Sequence, residues 1–254
     1  VSARRALLAG AAVLALGAAA GCSVDNRTLM TGPGPNAIST GAILIGTFEN
    51  GVARPEDPRF ATYQYYAYNP DTNLPPGAYV RSPIVAPGYN SNYALGLDWE
   101  VIDPLDGVNN YPGVGVRTLA AQGFVDLTGY DRLVFAQRYQ HSGDCNILHN
   151  ITILIFCDEL NTSFTVNVPT SPTWTTSSVP FSSFAEPAYQ TPSGYGINDC
   201  LAVMSSLDFT AQAVLNDGEC GSGNLTFDNI EIRPAPAAPD AGTTADADAG
   251  TDGP

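Results

Sequence analysis

The sequence predicts an all-β domain, an antiparallel β-sandwich of the jelly-roll type, and three observations lead there. Glycine (25) and proline (20) are abundant among the 254 residues, and both punctuate chains built from short strands and turns. No long stretch repeats its apolar residues at the 3.6-residue spacing of a helix. Runs rich in β-branched and aromatic residues instead follow one another at short intervals, separated by turn residues.

Taken in order, the chain opens with Arg4 and Arg5 before an apolar run that ends in Gly21-Cys22. A charged start, an apolar segment too short to span a bilayer comfortably and small residues at its end make a secretory signal over residues 1–21. Gly21-Cys22 resembles a bacterial lipobox, with Ala19 where a large aliphatic residue is usual. The resemblance implies an acylated Cys22 as first residue of the mature protein. It also implies attachment to a membrane through that lipid, in the cell envelope, at the outer membrane or the cell surface. Residues 22–40 are polar and rich in Gly and Pro, and read as a flexible tether. Residues 41–233 are long enough for one substantial core. Residues 234–254 hold only Ala, Pro, Asp, Gly and Thr. Such a tail cannot bury enough apolar surface to offset its ordering entropy, so it is expected to be disordered.

Within 41–233, strands are expected at 42–49, 93–101, 114–119, 132–140, 150–156, 164–168, 174–179, 201–211 and 225–232. The alternation is clean in 93–101, where Tyr93, Leu95, Leu97, Trp99 and Val101 share one face and Ala94, Asp98 and Glu100 the other. Residues 53–88, rich in Pro and Tyr, show no firm periodicity. Trp174 is expected to pack on the sheet.

Charge and residue inventory exclude several functions. The chain carries 25 acidic against 10 basic residues, net −15, and a strongly acidic chain repels nucleic acid and anionic lipid headgroups. All the basic residues are arginine, so lysine-based Schiff-base chemistry is ruled out. His141 and His149 flank Cys145, but a metal site there needs a free thiolate, which an oxidising compartment disfavours.

The five cysteines leave four for disulfides once Cys22 is assigned to lipid. Pairing sequence neighbours, Cys145 with Cys157 and Cys200 with Cys220, would join opposite ends of a strand about 20 Å long. A disulfide needs Cα atoms within about 7 Å. With successive strands alternating in direction, the expected bridges are Cys145–Cys220 and Cys157–Cys200.

An ordered series of motifs carries a family resemblance. Thr47-Phe48-Glu49-Asn50-Gly51 opens it, and Ser91-Asn92-Tyr93-Ala94-Leu95 follows. Next come Asp126-Leu127-Thr128-Gly129-Tyr130-Asp131-Arg132-Leu133-Val134-Phe135 and then Trp174 with Val179-Pro180-Phe181-Ser182-Ser183-Phe184. Leu225-Thr226-Phe227-Asp228-Asn229-Ile230-Glu231-Ile232 closes it. This order resembles the galactose-binding-like β-sandwich of carbohydrate-binding modules in secreted bacterial proteins and lipoproteins. The resemblance implies a sugar-binding domain. It also implies a structural calcium linking the opening and closing strands through Glu49 and Asp228. Thr47 and Asn229 stand where the family carries further acids.

Sugars stack their C–H faces on flat aromatic rings while nearby polar groups read the hydroxyls. Tyr63, Tyr65, Tyr66 and Tyr68, with Tyr111 in the loop 107–113, are the candidate ligand-binding residues. Asp98 and Glu100, two apart on a strand, put their carboxylates about 7 Å apart on one side. Paired carboxylates can perform glycoside hydrolysis, but a solvated polar face is the simpler reading. The sequence therefore leads to a non-catalytic, lipid-anchored β-sandwich that binds a carbohydrate. A structural or adhesive envelope lipoprotein is the alternative, and a glycosidase using Asp98 and Glu100 the third reading.

Overall fold

The computed structural model describes residues 41–61, 63–68, 78–81, 84–102, 111–118, 123–143, 147–211 and 220–234; at 64–68, 78–81, 101–102, 111–112 and 220 it describes the main chain only. The elements run β1 (Ile43–Gly46), β2 (Gln64–Tyr68), β3 (Ala78–Arg81), β4 (Ile84–Val85), β5 (Ala94–Ile102), β6 (Tyr111–Arg117) and β7 (Tyr130–His141). They continue with β8 (Asn150–Cys157), β9 (Thr162–Pro169), β10 (Thr175–Pro180), α1 (Ile197–Leu201), β11 (Ser206–Ala211) and β12 (Cys220–Pro234).

These strands form two antiparallel sheets. One has seven strands in the order β10-β7-β12-β5-β3, with β1 added to β12 and β4 to β5; the other has five, in the order β2-β6-β11-β8-β9. The protein is thus an all-β sandwich with two inward-facing sheets. Period-2 alternation decides what lies between them. Leu95, Leu97 and Trp99 of β5, Leu133 and Phe135 of β7, and Ile151, Ile153 and Ile155 of β8 are buried.

Phe135, Phe209 and Phe227 form an aromatic triad across the gap. The Phe209–Phe227 centroids lie 4.8 Å apart and those of Phe135–Phe209 5.3 Å, the latter pair edge-to-face. Phe135 and Phe227 come from the seven-stranded sheet and Phe209 from the five-stranded one, so the triad couples the two layers.

Three departures from expectation have local causes. The strand expected over 201–211 begins as helix: Ile197–Leu201 makes one turn, with the Asp199 carboxylate accepting from the Gly196 N–H at 2.8 Å, before β11 starts at Ser206. The opening strand stops at Gly46 because Phe48 enters the left-handed region at φ 58°. In 53–88, where no period is visible, the chain contributes the short strands β2, β3 and β4.

Cys157 ends β8, and Cys200 sits on α1 just before β11, the antiparallel neighbour of β8. Their Cα atoms are 5.4 Å apart and the two sulfurs are joined. Cys145 lies outside the described residues, and so does the Cys145–Cys220 bridge expected from strand direction. Cys22, the signal, the tether and the tail also lie outside them.

Candidate functional site

On β6, the core-facing Val114 and Val116 alternate with Gly113 and Gly115, which therefore line the outward face of the five-stranded sheet. The Asp208 carboxylate fills the space over Gly115, where a Cβ would fall 2.0 Å from Asp208 Oδ1 and force that side chain aside. Asp208 and Thr210 of β11 are 4% exposed although they face away from the core. Across the sheet the register aligns Tyr66, Gly113, Thr210, Thr152 and Asn167 in one row. Within that row the Thr152 hydroxyl donates to Asn167 Oδ1 at 2.8 Å. The next row aligns Gln64, Gly115, Asp208, Leu154 and Thr165. The result is a band with two residues lacking side chains, flanked by hydroxyl, amide and carboxylate groups.

The candidate tyrosines divide between core and face. Tyr63 is 5% exposed, its ring centroid 5.6 Å from that of Phe48 and its hydroxyl donating to the Ile45 carbonyl at 3.2 Å. Tyr63 therefore serves the core instead of offering a ring face to a ligand. In β2, Tyr65 stands in register with Val114, Tyr66 with Gly113 and Tyr68 with Tyr111. Tyr111 is the first residue of β6, not part of a loop. The side chains of Tyr65, Tyr66, Tyr68 and Tyr111 are outside the described part of the structure. Sequence reasoning passed over Asp208, Thr210, Thr152 and Asn167, whose signal was present: each is a polar residue at an alternate position within an apolar strand.

A second cluster gathers around the closing strand. β1 pairs with β12 at Ile43–Ile232 and Leu44–Glu231, and beyond the end of that pairing the Glu49 charge lies close enough to Asp228 to act on its carboxyl. Between Asp228 and Glu231 the ladder shifts at a bulge, with Asn229 left-handed at φ 49°. The bulge turns Ile230 and Ile232 inward after Leu225 and Phe227, and leaves Asp228 fully buried on the other side. Asp228 Oδ2 accepts from the Tyr89 N–H at 2.8 Å and the Ser91 hydroxyl at 2.5 Å, while Oδ1 accepts from the Asn229 N–H at 2.7 Å. Gly88 is required beneath this group, because a Cβ there would lie 2.0 Å from Ser91 Oγ, 2.3 Å from the Tyr93 carbonyl oxygen and 2.7 Å from Asp228 Oδ2. Glu49 Oε2 accepts from the Asn92 side-chain amide at 3.2 Å. Phe48, Asn90 and Asn229, with φ of 58°, 51° and 49°, all adopt left-handed backbone around this cluster. Such conformations cost about 1–3 kcal/mol each and persist only where surrounding contacts over-determine them.

Burial pushes the Asp228 carboxyl up to about 6, against the hydrogen bonds from Ser91, Tyr89 and Asn229, and the Glu49 charge adds to the rise. The folded chain therefore keeps this proton to higher pH than the unfolded chain. Stability from this group is greatest below pH ~4, falls as pH rises through the interval ~4–6, and is level above it, a change of about 3 kcal/mol. Urea unfolding in calcium-free buffer at pH 4 and pH 7 is expected to show that extra fall in the wild type and not in Asp228→Asn. Equal pH dependence of the two proteins would contradict the assignment.

Asp98 and Glu100 stand on the outward side of β5, one on each side of the buried Trp99. The Asn224 side-chain amide donates to Asp98, and Asn224 Oδ1 accepts from the Thr226 hydroxyl at 2.7 Å. Trp174 packs on the sheet from outside the core. Its ring centroid is 5.8 Å from that of Tyr89, and the Arg138 guanidinium carbon lies 5.0 Å from it. Among the described residues no group of three or more His, Cys, Asp or Glu side chains is placed to hold a metal ion.

No protein-family model matches the chain, and no curated protein is similar to it in sequence. Its fold is similar to that of the family 11 carbohydrate-binding module of the cellulosomal cellulase Lic26A-Cel5E of Clostridium thermocellum. That similarity has 17% identity and a TM-score of 0.50, over 78% of this chain and 97% of that one. A second similar structure is the family 11 module from Clostridium thermocellum in complex with a β-1,3-1,4-mixed-linked tetrasaccharide. It has 17% identity and a TM-score of 0.50, over 76% of this chain and 96% of that one. The likeness defines the class of the fold, a β-sandwich of the carbohydrate-binding-module type.

Proposed function

We propose that this chain is a non-catalytic, lipid-anchored cell-envelope protein whose sandwich binds a glycan on the outward face of the five-stranded sheet. The observation that carries the reading is the polar row from Gly113 through Thr210 and Thr152 to Asn167 beside the tyrosine-bearing β2. In this reading the tyrosines of β2 supply stacking surface, the exposed Asn167 amide at the far end of the row reads sugar hydroxyls, and the buried Thr210 and Thr152 support the row from beneath. The likeness to modules of which one is described with a bound tetrasaccharide supports the same reading. Cys22, acylated, supplies the anchor.

A glycan array probed with the full chain is expected to show retention of a neutral oligosaccharide. Tyr66→Ala is expected to weaken that binding by roughly tenfold, the equivalent of about 1.4 kcal/mol. Retention of no saccharide would sink the proposal. Release of reducing ends that vanished in Glu100→Gln would overturn its non-catalytic part.

The same proposal includes a structural calcium at Glu49 and Asp228. The oxygens that converge at Gly88 from Asp228, Ser91 and the Tyr93 carbonyl are of the hard type calcium takes. A cation there also offsets the mutual repulsion of the two carboxylates. Added calcium is expected to raise the thermal midpoint of the wild type and to leave Glu49→Gln unmoved; an equal response of the two would remove calcium from the site.

A further inference from the structure

The opposite sheet carries a second surface that the glycan reading above does not use. Trp174 precedes β10, Tyr89 comes from the loop between β4 and β5, and Arg138 projects from β7, so three separate elements converge. The rings of Tyr89 and Trp174 are tilted by 45° with centroids 5.8 Å apart, and Arg138 lies over the indole at 5.0 Å. All three residues are partly exposed. The loop that holds Tyr89 is fixed from below, because the Tyr89 N–H and Ser91 hydroxyl both bind the buried Asp228.

Arg138 differs from the ion-paired arginines. Arg59, Arg132 and Arg233 are each held by an acid one or two residues away, Asp57, Asp131 and Glu231. Among the described residues no carboxylate pairs with Arg138, and its Nε is shielded from water without a hydrogen-bond partner. In a chain with 25 acidic and 10 basic residues, a guanidinium held by an indole instead of a carboxylate keeps its outer edge, the two Nη groups, available. That edge matches a carboxylate in bidentate geometry, while the aromatic pair beside it suits the C–H face of a pyranose. The net charge of −15 weighs against polyanions and leaves a ligand carrying an isolated carboxylate as the better match.

We propose that Trp174, Tyr89 and Arg138 form a binding platform for an acidic sugar, a uronic acid residue stacked on the aromatic surface with its carboxylate on the Arg138 guanidinium. The assignment rests on the glycan reading and extends it to a second face and a charged ligand class.

The test is isothermal titration of the full chain with a xylotriose bearing one glucuronic acid and with its methyl ester, which keeps the rings and removes the single charge. The wild type is expected to bind the acid more tightly than the ester by roughly tenfold or more, as for a charged hydrogen-bonded pair. Arg138→Gln is expected to erase that preference and Arg138→Lys to retain part of it. Trp174→Ala is expected to weaken both ligands, while Tyr66→Ala leaves the acid bound. Unchanged thermal midpoints guard against a folding artefact, and the Arg138→Lys comparison stands if Trp174→Ala is unstable. Equal binding of acid and ester, or a preference that survives Arg138→Gln, would overturn the platform. Binding of neutral glucans that Tyr66→Ala abolishes and Arg138→Gln leaves intact, with no binding of the acid, would overturn it while sparing the glycan reading. Binding of no saccharide at all would overturn both.

Discussion

Phe227→Ala is expected to lower the unfolding free energy by about 4 kcal/mol, within the range of roughly 3–5 kcal/mol for deleting a buried phenyl ring. Phe227 is fully buried on β12. It contacts Phe209 of the facing sheet at 4.8 Å and Phe135 of the neighbouring β7 at 6.2 Å between centroids. The deletion removes transfer free energy, leaves a cavity between sheets that cannot collapse without shifting both layers, and breaks aromatic contacts worth about 0.5–1.5 kcal/mol per pair. Urea unfolding should show a lower midpoint at unchanged slope, because the surface exposed on unfolding stays nearly the same. A loss below about 1 kcal/mol would mean the triad is not what couples the sheets. Phe227→Leu, which keeps most of the volume, should cost less than half as much.

Removing the Cys157–Cys200 bridge is expected to cost a similar amount. Its partners are 43 residues apart and both are fully buried. Loop-closure entropy for a span of that length gives about 4 kcal/mol in the chain-entropy account. The bridge ties the end of β8 to the turn that leads into β11, the strand that β8 pairs with along its length. The double variant Cys157→Ala, Cys200→Ala should unfold at markedly lower urea than the wild type. Non-reducing peptide mapping of the wild type should recover residues 157 and 200 in one linked fragment. A Cys157 peptide linked to Cys145 would contradict the strand arrangement itself.

The contrast between β5 and the residues before it shows what was legible. In 93–101 every second residue is a large apolar side chain, and Leu95, Leu97 and Trp99 do face the core. Tyr93, at the same parity, stays 38% exposed because β5 begins only at Ala94. In 53–88 no such period exists, since β2, β3 and β4 are short and each is paired along a longer strand, β2 with β6 and β3 and β4 with β5. The helix at Ile197–Leu201 was masked for another reason: a single turn carries too few residues to show a 3.6 period.

The candidate sites divide the same way. Glu49 and Asp228 were singled out from the opening and closing motifs, and neighbouring residues of one loop bind them, Asn92 the first and Ser91 the second. The Arg138–Trp174 contact had no signature in sequence, because it depends on which strand lies beside β10. Tyr63 looked like its neighbouring tyrosines, yet its hydroxyl reaches the Ile45 carbonyl and its ring covers Phe48.

Sequence alone determines the class of the fold and, within most strands, which side chains turn inward, because strand alternation is a two-residue property that needs no partner. It determines the acidity as well, and with it a net charge that repels nucleic acid. Only the tertiary structure decides strand order, the bulge at Asn229 and the meeting of Tyr89 with Asp228 across 139 residues. Those depend on which strands find each other, and a register shifted by one residue would turn every side chain of a strand to the opposite face.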